Sequence, residues 1–267
     1  MKKLSFLLLS LLAVTLLTAC SDEDEPLNKQ SFTSTINCRA IDGDQVVFSQ
    51  TSAKVELNYT DMTIRFDAGY TDANGRSATI TTPEMKLVGV STTMVYEFQA
   101  SASQQVGSAN VESLGGYIDF ATGMMWYTIN AGSGEVVCTT QLLYAYSTTT
   151  MTDPNNGHNG NHQQSAYLFA LDSKGETCTM QVSNFMSNLN SVVDAPEVQY
   201  NGLTVTPTVA GYKIVAEEVE SNYNGFYTLT DVDFTLNEQC MTINGTFKCN
   251  GLEYKVAGPL YPKTSSY

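Results

Sequence analysis

CMTINGTFKCNGLEY, residues 240–254, contains two Asn-Gly pairs, and only one can be the turn of a hairpin. Asn-Gly suits the two-residue type I′ turn. A turn at 244–245 would mix apolar and polar residues on one face. A turn at 250–251 gives cross-strand pairs whose members agree in polarity: Phe247 with Tyr254, Cys249 with Leu252, and Lys248 with Glu253. Register follows the buried face, so we predict the turn at 250–251.

The alternation of apolar and polar residues seen in this hairpin recurs along the chain. Apolar side chains occupy every second position in two further segments: Cys178, Met180 and Val182, then Leu203, Val205 and Pro207. This period of two is typical of strands with one buried face. Short strands separated by Gly, Asn and Asp turns predict an all-β fold, an antiparallel barrel or sandwich.

An internal repeat indicates that this fold occurs twice. PEMKLVGV at 83–90 matches PEVQYNGL, which begins 113 positions later. Three shorter matches follow at nearly the same offset: Ser52-Ala53 with Ser165-Ala166, Asp119-Phe120 with Asp233-Phe234, and Thr128–Asn130 with Thr242–Asn244. Chance similarity is the alternative, because each match is short. A period of about 110 residues has the size of a domain.

The predicted domain organisation follows from the repeat and from composition. We expect a signal peptide at 1–19, a lipidated flexible tether at 20–30, and β domain 1 at 31–147. A segment rich in Asn, Gly, Thr and Gln predicts a polar linker at 148–164. β domain 2 should then occupy 165–262. The predicted architecture is two tandem related antiparallel β-barrel or sandwich domains after a lipoprotein signal peptide.

The N-terminus has the features of a bacterial lipoprotein signal. Lys2 and Lys3 precede an apolar run, Leu4–Leu17, which is too short for a helix that spans a hydrocarbon core about 30 Å thick. Leu17-Thr18-Ala19-Cys20 matches a lipobox, so Cys20 is the predicted site of acylation. An ordinary signal peptide with an unrelated cysteine is the alternative.

The residues after Cys20 resemble the surface-export signal of Bacteroidetes lipoproteins, a serine followed by acidic residues. Here these are Ser21 and Asp22–Glu25. A charged spacer is the alternative reading. The resemblance implies a lipid-anchored protein of the outer membrane, exposed on the cell surface, whose first partner is membrane lipid through the acylated cysteine.

Charge and cysteine content exclude several classes. The net charge is −14, and removal of Lys2 and Lys3 makes it −16, which disfavours nucleic acid as a partner. Besides Cys20 there are five cysteines, an odd number with no CxxC spacing: Cys38, Cys138, Cys178, Cys240 and Cys249. Their pairing stays open, although the turn at 250–251 argues against Cys240–Cys249.

The repeat order and the lipobox together resemble Bacteroidetes surface lipoproteins with calycin-like, lipocalin-type β-barrel domains. The shared order is PE-x-x-x-x-G, then GGYIDF or TDVDF, then TIN. The resemblance implies small antiparallel barrels and a ligand cavity, with no catalytic residues. The Gly-x-Trp signature of true lipocalins is missing near the first strand, which argues against a lipocalin-style apolar ligand.

Catalytic, cofactor and metal sites are not predicted. The two histidines, His158 and His162, lie in the Gly- and Asn-rich linker, which would not hold a catalytic base. Asp153 could join them in a metal site, but a solvated linker is the simpler reading. Glu84 and Glu197 follow a proline at equivalent repeat positions, and we interpret them as surface acids next to a turn.

Trp126, the single tryptophan, is the candidate ligand-binding residue. If Tyr127 and Ile129 face the core, Trp126 faces outward, where an aromatic ring can bind sugar or protein. The alternatives are that Trp126 covers a domain seam, or that the alternation is reversed and it lies in the core. We therefore expect a binding module for a glycan, peptide or apolar small molecule. The alternatives are a structural or interaction subunit of an envelope assembly and, less favoured, a hydrolase.

Replacing Cys20 with Ala should abolish acylation and release the protein from the outer membrane, because the thiol that carries the lipid is gone. Fractionation of cells with detergent-free washing measures this, with Cys240→Ala as the control. The lipoprotein interpretation is wrong if the Cys20→Ala protein still partitions with outer-membrane lipid.

Overall fold

The structure is a computed structural model of the chain, and it describes residues 29–90, 94–100, 104–106, 109–131, 134–155, 163–184, 197–223 and 226–261. Within these ranges the secondary structure is all strand. No helix that is long and apolar enough to cross a membrane is found in these residues. The predicted signal peptide, Cys20 and the acidic segment 22–25 lie outside the described residues.

The chain divides into two compact units, the first ending at Gln141 and the second beginning at Leu142. The strands of the first unit are β1 Lys29–Asp42, β2 Gln45–Asn58, β3 Thr63–Thr71, β4 Ser77–Thr81, β5 Met85–Gly89, β6 Val95–Ala100, β7 Gln104–Val106, β8 Ala109–Asp119, β9 Met125–Ala131 and β10 Gly134–Thr140. Those of the second are β11 Leu142–Thr152, β12 Gln163–Leu171, β13 Thr177–Ser183, β14 Val198–Thr208, β15 Gly211–Val219, β16 Leu229–Asn237, β17 Thr242–Cys249 and β18 Leu252–Tyr261.

The first unit is an antiparallel barrel that closes through β1. This strand pairs with β2 along its whole length and with β10 from Ile36 to Ile41. The ring continues through β3, β5, β6, β8 and β9, which gives eight strands in chain order. Two positions in the ring are each occupied by two short strands. β4 and β5 both pair with β3, and β6 and β7 both pair with β8. The barrel class predicted from the alternation is confirmed.

The second unit is a closed barrel of eight strands, β11 to β18, each next to its neighbour in the chain. β18 returns to β11, where Tyr144 lies opposite Tyr261 and Thr152 opposite Glu253. Both units therefore have the same up-and-down topology. In the second ring every strand is paired on both sides, whereas in the first the short β4 pairs only with β3 and the short β7 only with β8 among the described residues.

The unit boundary lies earlier than the predicted linker at 148–164. β11 runs through Thr152, and β12 begins at Gln163, so both ends of that segment belong to the second barrel. The alternation of buried positions continues from Ser147 into this segment, since Ser147, Thr149 and Met151 are all buried. The Thr149 hydroxyl hydrogen-bonds the hydroxyl of buried Tyr167 at 2.8 Å, which satisfies both groups.

The hairpin at 240–254 has the predicted register. Phe247 lies opposite Tyr254, Lys248 opposite Glu253, and Cys249 opposite Leu252. Asn250 and Gly251 have positive φ angles of 51° and 77°, as a type I′ turn requires. The rings of Phe247 and Tyr254 stack with centroids 4.6 Å apart, and this contact fixes the inward face of the hairpin.

The matched repeat segments fall on equivalent strands of the two barrels. Ser52-Ala53 lies in β2 and Ser165-Ala166 in β12, the second strand of each barrel. Glu84 directly precedes β5, and Glu197 directly precedes β14. Asp119 ends β8, whereas Asp233 lies inside β16, so the equivalence there is by strand and not by residue.

Aromatic side chains fill the interior of each barrel. In the first, Phe66 contacts Phe98 and Tyr127, with ring centroids 5.7 and 5.0 Å apart. In the second, Phe234 contacts three buried rings: Tyr167, Phe169 and Phe247. These rings pack against one another inside each barrel, where a hollow barrel would have a ligand cavity.

Among the described glycines of the first barrel, Gly116 has the least space for a side chain. A Cβ there would lie 2.1 Å from the Trp126 carbonyl oxygen and 2.5 Å from the Tyr127 Cα, both backbone atoms. Gly116→Ala should therefore lower the free energy of unfolding by about 2–3 kcal/mol, the usual cost of overpacking. Urea unfolding measures the change.

Gly115→Ala is the matched control, because its Cβ would lie 3.4 Å from the nearest atom, the Phe98 carbonyl oxygen. We expect it to change stability by less than about 1 kcal/mol. Equal losses in the two variants would contradict the tight β8–β9 approach.

Candidate ligand-binding groove

A groove of about 450 Å³ opens on the outer surface of the first barrel. Its walls come from four separate segments: the start of β1 at 29–31, the end of β2 at 54–58, the start of β3 at 63–65, and the break between β4 and β5 at 82–84. Its volume falls within the range of small-ligand sites, about 300–1,000 Å³.

The break between β4 and β5 creates one wall of the groove. Pro83 has no N–H and cannot continue the ladder to β3. Thr82 closes the ladder at this point, since its N–H donates to the Phe66 carbonyl and its hydroxyl accepts from the Phe66 N–H at 2.8 Å. The strand then resumes at Met85, opposite Ile64.

The groove combines three cations with two carboxylates. Lys54 pairs with Glu56 at 3.4 Å. Glu84 accepts a hydrogen bond from the Thr63 hydroxyl at 2.5 Å. Arg65 lies opposite Glu56 across β2 and β3, and it is exposed.

Arg65 and Lys29 are therefore the cations available to a ligand. In the described part of the chain, neither residue forms an ion pair. With Lys54 they give the groove one more positive than negative charge, on a chain of net charge −14.

An aromatic group adjoins the groove at the same end of the barrel. Tyr59, in the loop after β2, lies edge-on to Phe120 with centroids 5.4 Å apart, and Phe120 packs on Tyr96 at 4.3 Å. The Tyr59 hydroxyl donates to the side-chain oxygen of Gln30, which lines the groove. Burial raises the pKa of Tyr59, so its hydroxyl stays protonated at neutral pH. We call Tyr59, Phe120 and Tyr96 the aromatic rim.

Trp126 lies elsewhere on the first barrel and does not line the groove. Tyr127 and Ile129 face the core, as assumed in the prediction, and Trp126 is half-buried on the other face. Its ring stacks on Tyr117 with centroids 5.8 Å apart. Its Nε1 is shielded, with no hydrogen-bond partner among the described residues.

The other residues singled out from sequence do not come together. Glu84 reaches the groove, whereas Glu197 lies in the second unit, where burial raises its pKa. His158 and His162 lie outside the described residues. Among the residues that are described, no three His, Cys, Asp or Glu side chains are close enough to hold a metal ion.

A second exposed aromatic group lies on the second barrel, between β15 and β16. Phe226 is 72% exposed, and Tyr223 meets the ring of Tyr227 edge-on at 6.2 Å. Tyr227 has a φ of 66°, which is strained for a bulky residue. Its carbonyl accepts a hydrogen bond from the buried Tyr200 hydroxyl at 2.8 Å, and this bond holds the loop.

No family model and no curated protein matches the sequence. Two solved structures are among those to which the chain is similar, both at low identity. One is a Bacteroides fragilis protein described provisionally as an outer membrane protein, with 13% identity, a TM-score of 0.35, and coverage of 87% of this chain and 97% of that one. The other is transferrin binding protein B of Neisseria meningitidis, with 8% identity, a TM-score of 0.26, and coverage of 88% and 75%. At these TM-scores neither likeness supports an argument about fold or function.

Proposed function

We propose that this protein is a lipid-anchored, non-catalytic binding module of the outer surface, and that its groove binds an acidic saccharide. The observation that carries the proposal is the exposed Arg65 in a polar groove beside an aromatic rim. The lipobox at Cys20 and the acidic residues after it support the location. About three acyl chains are expected on Cys20, and about two are enough for stable attachment to a membrane.

The charge of the groove favours a ligand that carries carboxylate or sulfate groups. A guanidinium binds such groups through two parallel hydrogen bonds, which are stronger than neutral ones. Arg65 is exposed and lines the groove, so its guanidinium can reach such a group. Lys29 and Lys54 also line the groove and add positive charge.

The aromatic rim favours a sugar ring among acidic ligands. Tyr59 is 39% exposed, and its position is fixed by Phe120 behind it and by Gln30 at its hydroxyl. A ring held in this way offers an apolar face at little entropic cost. Gln30 supplies an amide group, which suits the hydroxyls of a saccharide, whereas the Asn58 amide is hydrogen-bonded to Asp61 and to the loop backbone.

The packed barrel interiors argue against an apolar ligand held inside a barrel. Phe66, Phe98 and Tyr127 occupy the centre of the first barrel, and each is almost completely buried. The groove, in contrast, lies outside the barrel and is lined mostly by polar side chains. A polar ligand is therefore the better match to this chain.

Titration of the soluble mature chain, residues 21–267, with oligogalacturonate should show binding that weakens as salt rises, because exposed charges are screened. The carboxyl-reduced, neutral form of the same oligosaccharide should bind at least tenfold more weakly. Arg65→Gln should lower the affinity for the acidic form about tenfold, which corresponds to about 1.4 kcal/mol. Isothermal titration calorimetry measures all three.

Lys255→Gln is the matched control, since it removes one exposed positive charge from the second barrel and should leave the affinity unchanged. Equal binding of acidic and neutral oligosaccharides, or equal effects of the two substitutions, would refute the proposal. Tighter, Arg65-dependent binding of oligoglutamate would assign the groove to acidic peptides instead.

A second candidate function is contact with an envelope protein through the β15–β16 loop. The exposed Phe226 and the strained Tyr227 favour it, because strained backbone concentrates at functional loops. Whole-cell cross-linking should then lose its protein adducts in Phe226→Ser. Unchanged adducts would exclude this loop.

A further inference from the structure

The two cysteines of the first barrel face each other in its core. Cys38 of β1 lies directly opposite Cys138 of β10, and both are fully buried. Their sulfur atoms are 3.5 Å apart. Cys138 also lies opposite Tyr127 of β9, so the thiols and this tyrosine form one row across three strands.

This position fits a disulfide bond. Residues directly opposite each other in an antiparallel pair have Cα atoms about 4.5–5.5 Å apart, inside the range of about 4.4–6.8 Å that disulfides require. Small rotations of two side chains would bring the sulfur atoms to a bonding distance of about 2.05 Å.

The remaining cysteines are not placed for pairing. Cys178 lies opposite Leu171 and Leu203, and Cys249 opposite Leu229 and Leu252. Burial raises the pKa of both thiols to about 12, so they stay protonated and unreactive. Cys240 is exposed in the turn between β16 and β17.

We propose that Cys38 and Cys138 form a disulfide bond in the exported protein. The two thiols lose two protons and two electrons, and the acceptor is the disulfide of a small-molecule or protein oxidant, which is reduced to two thiols. The proposal goes beyond ligand binding and rests on export to an oxidising compartment. It explains an odd cysteine number as one pair and three thiols.

The bond would join the first and last strands of the barrel, β1 and β10, where they pair to close the ring. Cys38 and Cys138 are 100 residues apart, on the first and last strands of the ring. A disulfide that closes so long a loop lowers the conformational entropy of the unfolded chain and thereby stabilises the folded barrel. Because the pair is buried, a reductant should reach the bond only after the barrel opens.

Thiol counting on the mature chain, residues 21–267, exported to an oxidising periplasm, tests the proposal. After unfolding in denaturant without reductant, three of the five cysteines should react with iodoacetamide, and all five after reduction. Peptide mapping should find Cys38 joined to Cys138. Five reactive thiols, or a different pair, would overturn the proposal whether or not the groove binds saccharide.

Thermal unfolding gives the second test. Reduction should lower the melting temperature of the first barrel by at least about 10 °C, because the closed loop is long. The Cys178→Ala/Cys249→Ala chain should keep this shift, and the Cys38→Ala/Cys138→Ala chain should lose it. A shift that persists in the second chain would contradict the assignment. If that chain fails to fold, the thiol count still decides.

Discussion

Closure of the hydrogen-bond ring is the constraint on which each unit depends. An open antiparallel sheet leaves backbone N–H and C=O groups unpaired along two edges. In the first unit β1 closes the ring, since all of its residues pair with β2 on one side and Ile36–Ile41 pair with β10 on the other. In the second unit, β11 does the same between β12 and β18.

The groove is a local consequence of how this ring tolerates interruption. Because β3 is held by β2 along Ala53–Asn58, its other edge can lose a neighbour at Pro83 without opening the barrel. The Thr82 hydroxyl replaces the missing ladder contact at Phe66. Side chains of β1, β2 and β3 then border the groove beside this break, and Arg65 is one of them. Strand closure thus supplies the rigidity, and the broken strand supplies the site.

Sequence alone could predict the features that depend on local pattern. The register of the 240–254 hairpin follows from polarity matching, and the duplication follows from short repeats. The last five residues of β11, 148–152, were assigned to the linker because most of them are polar, although Thr149 is buried and hydrogen-bonds Tyr167 on β12. The groove was missed because its walls come from four segments. The Cys38–Cys138 pair was missed because only barrel closure brings residues so distant in sequence together.

Each unit closes its own barrel and needs no strand from the other. Differential scanning calorimetry of two separate fragments, 21–141 and 142–263, tests it most directly. The boundary at Gln141 leaves every strand of each ring in one fragment. We predict that each fragment shows one cooperative, reversible unfolding transition. A fragment that shows no transition alone, and regains one only when the other is added, would contradict separate closure.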